Sequence, residues 1–333
     1  MTYPALYKVQ VGTNDSDWGT TMPQTVKLMG VQTVRVTPRI EGQRIEDLRG
    51  TTQPSYTTVM PRIWAECELA GLVSYDDLPY LLDAAFGTAT PAAASDEYSR
   101  SYAVSPDWAT TDAQPKIFTI TYGETSSDAN IYGIPGATLQ SLRLSGRSGA
   151  PMAYTARFFG KQVEADTFDA LSDRNVTFAM GAHGSIMIDP SSDAAGTTLV
   201  SDTFFAFDLE LTPNRAPKWI IGSLTPNNYR HGKWSGSLRL TLELNSTTAA
   251  YWTSIFAGTT APVEKLVRIK FTNPGNTDVF ITLDFTGTVI EAPQPLTDED
   301  GITTVDLALQ GHYGTGLSSF AAASVVNTIA ALA

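Results

Sequence analysis

Most of the chain consists of short runs in which apolar and polar residues alternate, interrupted by Gly, Pro, Asn and Thr. Such a period of two predicts strands with one buried face. Phe207-Asp208-Leu209-Glu210-Leu211 alternates strictly and is expected to stop at Thr212-Pro213. Gln32-Thr33-Val34-Arg35-Val36 follows the same pattern and is expected to stop at Thr37-Pro38. Further strands are predicted at Tyr7 to Val11, Lys116 to Ile120, Thr138 to Leu144, Tyr154 to Phe159, Leu266 to Lys270, Thr286 to Ile290 and Thr304 to Leu309. Two short segments read as helices instead. In Tyr75 to Phe86, Leu78, Leu81, Leu82 and Phe86 share a face, with Asp76 and Asp77 expected in the first turn. In the second, Ser246-Thr247-Thr248 supplies a cap and Tyr251, Trp252, Ile255 and Phe256 a face.

The order of these elements repeats. Each half runs from an alternating strand through a long loop to a strand opening at Trp64 or Trp234, then to a short helix ending in Phe86-Gly87 or Phe256-Ala257-Gly258, then to three more strands. A matched order of unlike elements points to internal duplication. The expected domains are 1–168, with an insertion or surface loop near 88–114, and 169–333, ending in an apolar arm at about 316–333 that docks on a neighbour or forms a frayed helix. The segments Glu41 to Arg62 and Lys218 to Lys233 are long for connections inside compact domains and are expected to serve contacts. Exposed apolar residues in them, such as Trp219-Ile220-Ile221, call for a cover, and the simplest is another subunit.

Composition narrows the function classes. At 333 residues the chain accommodates two domains that each bury a core. A formal charge of −12 argues against binding nucleic acid by neutralising phosphates. Cys67 is the single cysteine, so no intrachain disulfide is possible, and it reads as a small buried strand residue. No run approaches the length of a membrane span, and the first residues lack the pattern of a secretory signal. His183, His231 and His312 each lie beside a glycine at no metal-ligand spacing, and nucleophile elbows, phosphate loops and dinucleotide fingerprints are missing. Asp298-Glu299-Asp300-Gly301 reads as a hairpin turn rather than a pair of catalytic carboxylates. No catalytic, cofactor or metal site is expected.

A duplicated, mainly β unit with one short helix, a long loop after its Thr-Pro strand and no chemistry resembles the major tail tube proteins of long-tailed phages, in the form with two tube domains fused in one chain. The likeness extends as an order of elements over residues 5 to 315. It implies two tandem β-sandwich or β-barrel domains, each with a flanking helix, in a structural protein of the virion that is assembled in the host cytoplasm. It further implies that three chains close a pseudo-sixfold ring by edge-to-edge strand pairing. Rings would stack into a tube that DNA crosses without specific binding, and an acidic lumen would repel its phosphates. The implied partners are further copies of the chain together with the tape measure, tail terminator and distal tail proteins. Arg44, Asp47, Arg49, Tyr56, Trp219, Ile220, Tyr229 and Arg230 are expected at interfaces between subunits or rings. Two rivals share the sheet-rich pattern. One is a carbohydrate-binding or adhesion module of two β-sandwiches; the other is a capsid decoration or tail-completion protein.

Overall fold

The computed structural model describes residues 7–14, 18–45, 57–94, 96–105, 114–125, 130–200, 203–246, 248–249, 263–289, 295–299 and 301–332. The first half contains β1 (Tyr7–Asn14), β2 (Val26–Lys27), β3 (Val31–Ile45), β4 (Thr57–Leu72), α1 (Leu78–Phe86), β5 (Ala92–Ala94), β6 (Glu97–Ala103), β7 (Ile117–Glu124), β8 (Ile131–Arg147), β9 (Ala153–Gly160) and β10 (Glu164–Ala165). The second contains β11 (Gly184–Pro190), β12 (Phe204–Thr212), β13 (Ala216–Lys218), β14 (Asn228–Arg230), β15 (Ser235–Glu243), β16 (Glu264–Asn273), β17 (Asn276–Val289), β18 (Pro295–Glu299), β19 (Ile302–Gly311) and β20 (Ala321–Asn327). The molecule is mainly β, and the predicted second helix, Ser246 to Gly258, falls largely outside the described residues.

Antiparallel pairing links eight strands into one ribbon in the order β3-β4-β9-β8-β12-β15-β19-β17. Behind it lie β1 with β7 and β11 with β16. The long strands β8 and β17 belong to both layers. Residues of β8 up to Ala137 pair with β7, and those from Thr138 onward pair with β9. At this switch Gly136 has φ +68, and a Cβ there would sit 2.9 Å from the Trp18 ring, so only glycine fits. Alternation along each ribbon strand sends Leu69, Leu142, Leu144, Leu209, Leu238 and Leu307 into a core shared by both halves.

The pairing order repeats between halves. β1–β7, β3–β4, β4–β9, β7–β8 and β8–β9 have the counterparts β11–β16, β12–β15, β15–β19, β16–β17 and β17–β19.

Several elements depart from the sequence reading. β12 does end at Thr212, but β3 runs through Thr37-Pro38 as far as Ile45, and β4 begins at Thr57, so much of the expected loop is a hairpin. Among the described residues β3 pairs only with β4, and an edge strand tolerates the missing N–H of proline. The segment 88–114 contains the β5–β6 hairpin. The C-terminal segment holds neither a frayed helix nor a free arm over Ala321–Asn327: β20 is a strand inserted between β17 and β6.

α1 starts later than expected. Asp77 occupies its cap position and its carbonyl accepts from the Tyr80 N–H at 3.1 Å, but its side chain does not cap the helix, because its carboxylate accepts instead from Arg174 and from the Met29 N–H at 2.9 Å. All nine helix residues are buried, Asp83 included. Asp83 accepts from the Tyr102 hydroxyl at 2.9 Å, and burial pushes its carboxyl up to about 6.

Candidate functional site

Among the described residues no group of three or more His, Cys, Asp or Glu side chains could hold a metal ion, and no helix is long and apolar enough to cross a membrane. Cys67 is a buried strand residue in β4 whose thiol burial pushes up to about 12, far from a reactive thiolate. The features that invite a partner are surfaces.

The first is the pair of hairpins. The β13–β14 hairpin of the second half lies on the β3–β4 hairpin of the first: the Ile63 N–H donates to the Leu224 carbonyl at 2.8 Å, Trp219 meets Trp64 edge to face at 5.7 Å, and the Arg62 guanidinium lies 4.8 Å from the Trp219 ring centre. The cover expected from another subunit is thus supplied to Trp219 by its own chain. Ile220 and Ile221 beside it stay exposed, as do Ile40 and Met60 on the first hairpin. Tyr229 is half-buried, donates its hydroxyl to Gln114 at 3.1 Å and packs on His231 at 5.1 Å. Arg230 and Arg44 are exposed, the latter opposite Thr58 in β3–β4. Asp47, Arg49 and Tyr56 lie outside the described residues. Of the expected contact residues, then, Trp219 and Tyr229 make contacts within the chain, while Ile220, Arg230 and Arg44 face outward.

The second is the open edge of β3. A groove of about 810 Å³ runs along Val31 to Val36, walled by Tyr7, Lys8, Tyr122 and Tyr132. β12 stands in the corresponding place in the second half, and its edge is occupied by β8, with Leu211 opposite Leu142 and Leu209 opposite Leu144. Among the described residues, one edge is therefore satisfied within the chain and its counterpart has no partner strand. The periodicity of β3 marks it as a strand, but an open edge is a property of sheet order that periodicity does not carry.

The third is the joint between halves. Arg215, ahead of β13, is almost wholly buried and donates to the last carbonyls of α1, Ala84 O at 2.7 Å and Ala85 O at 2.6 Å. The helix end is thus capped by a cation from the other half. Burial pulls this guanidinium down to about 10. Near the far end of the joint, Arg100 of β6 donates to Asn327 Oδ1 at 3.0 Å and to the Ile329 carbonyl at 2.7 Å, while Asn327 Nδ2 donates to the Tyr75 carbonyl at 3.0 Å.

Strand edges and hairpins are the features such a chain offers to other molecules. A search of curated proteins returned no significant match. The family model described as phage tail tube protein matches residues 9–311, nearly the whole chain, and the chain belongs to that family of structural tail proteins.

Proposed function

We propose that three copies of the chain close a ring with pseudo-sixfold symmetry, and that stacked rings form the wall of the tail tube in the virion, through which DNA passes. The observation that carries this reading is the match between an occupied and a vacant edge. Inside the chain, β8 of the first half joins β12 of the second. The repeated pairing order makes β3 the counterpart of β12 and β17 the counterpart of β8. A ring follows when the β17 end of the ribbon in each copy joins β3 of the next as β8 joins β12. Each chain would then contribute eight ribbon strands, and closure would leave no edge open.

The repeat fixes the counterpart residues but not the docking register. Val36 corresponds to Leu211, each standing one residue before a Thr-Pro pair, and Leu142 corresponds to Val289 through their partners Ala156 in β9 and Leu309 in β19. Leu211 faces Leu142, whereas the equivalent edge at Val289 is taken within the chain, its N–H donating to the Val263 carbonyl at 2.9 Å, so the β17 end of the ribbon meets β3 of the next copy in a register of its own. The hairpins, with Arg44, Ile220 and Arg230 outward, suit contacts along the axis, where stacked rings need a heterologous surface. The further partners on this reading are the tape measure, tail terminator and distal tail proteins, with host-cell cytoplasm as the place of assembly.

The test is assembly of the purified full chain followed by electron microscopy. Tubes are expected in negative stain, and end-on class averages should show rings of three chains with pseudo-sixfold symmetry. Monomers under conditions where related tubes assemble, or rings of another number, would contradict the ring.

A further inference from the structure

The outward face of the ribbon carries an unusual arrangement of charge. Arg35, Arg39, Arg157, Arg143 and Arg239 alternate there with Glu66, Glu68, Asp208, Glu210 and Asp306, and Arg147 and Glu243 continue the balance at the margin. The excess of carboxylates in the chain as a whole lies elsewhere. The arginines are held across strands. Arg39 pairs with Glu66 and Arg157 with Glu68, both at 2.8 Å, and Arg239 stands 4.0 Å from Asp306. Arg143 grips Asp208 with both arms of its fork, Nε to Oδ1 at 2.7 Å and Nη2 to Oδ2, across the junction of the two halves. A fork engaged in this way offers a phosphate little, because carboxylate and phosphate compete for the same two donors.

We propose that this face is a latent surface for double-stranded DNA, kept from gripping it because each engaged arginine is latched to a carboxylate on the neighbouring strand. The proposal rests on the tube reading, in which this face turns to the channel. The channel wall is then charge-balanced rather than acidic. DNA would pass over rows of dipolar pairs that neither hold its phosphates nor release its counterions. Exposed ion pairs add little to stability, which leaves the retention of four of them on one polar face better accounted for by what they withhold than by what they stabilise.

The experiment replaces the two carboxylates that hold the central arginines, as E68Q/D208N, and compares it with D193N/D278N, which removes the same charge from exposed positions off the face. Binding of a fluorescent 30-base-pair duplex to the full chain is followed by anisotropy from about 50 to 200 mM salt, and tube formation is scored separately by negative stain. The expected result is no saturable binding by wild type or by D193N/D278N. E68Q/D208N should bind at least tenfold more tightly, with a log-log salt slope of about −2 for two released arginines. Adding R143Q and R157Q should abolish the gain. Silence of E68Q/D208N, equal binding by D193N/D278N, or strong binding by wild type would each overturn the latch. A failure to form tubes would count against the ring reading alone, since the binding assay does not require assembly.

Discussion

Asn327, wholly buried at the end of β20, is the residue on which the attachment of the C-terminal strand is predicted to depend. Its amide donates to the Tyr75 carbonyl at 3.0 Å, and its oxygen accepts from Arg100 Nη1 at 3.0 Å and from the Ile329 N–H at 3.2 Å. Replacing it by alanine strands a carbonyl and one arm of a guanidinium that is itself 1 % exposed. An unsatisfied buried group costs about 1–3 kcal/mol, with charged donors at the upper end, so N327A should lose about 3–5 kcal/mol. N327D keeps an acceptor for Arg100 and loses only the donor to Tyr75, so it should recover part of that loss. In urea the N327A midpoint should fall by on the order of 1 M at an m-value of a few kcal/mol per M, with protease cleavage appearing first near β20 and β6. A shift below about 0.3 M, or N327D no better than N327A, would show that strand pairing alone holds β20 and that the polar cluster is incidental.

Three further outcomes follow from buried contacts. Asp83, raised from 3.8 to about 6, holds a proton in the folded chain that the unfolded chain releases, so its contribution is present at low pH and is lost as pH rises from about 4 to 6; the difference between wild type and D83N, followed by denaturation across that window, should change by about 3 kcal/mol and then stay flat. For Arg215, R215K cannot reach both Ala84 O and Ala85 O as a planar fork does and should cost about 1–3 kcal/mol, with R215A worse; equal stability of R215K and wild type in thermal unfolding would refute the capping role. W219A removes the contact with Trp64 and should leave global unfolding nearly unchanged while exposing residues 216–230 to protease and impairing tube formation, and tubes of normal yield would show that this hairpin takes no part in assembly.

Local pattern alone was enough to locate the strands whose two faces differ. β9, β12, β15 and β19 alternate because each puts one face on the core and the other in water, a property of the strand and its solvent that needs no knowledge of the neighbour. The position of α1 was legible from the spacing of Leu78, Leu81, Leu82 and Phe86, although both of its faces are buried, and the order of elements carried the resemblance to tail tube proteins. β20 and the β5–β6 hairpin were not legible. Ala321-Ala322-Ala323-Ser324 has little contrast between faces, and its strand state comes from β17 and β6 on either side. Thr37-Pro38 read as a stop because proline lacks a donor, yet β3 continues through it at a sheet edge, and only the sheet shows where its edges are. Trp219 found its cover more than 150 residues away in sequence, on Trp64. The charged face is the clearest case. Arg143 and Asp208 are ordinary exposed residues in their own strands and become a bidentate pair only because β8 and β12 are neighbours. Alternation is written along one strand, whereas register, edges and cross-strand charge pairs exist only between strands, and the tertiary structure decides which strands meet.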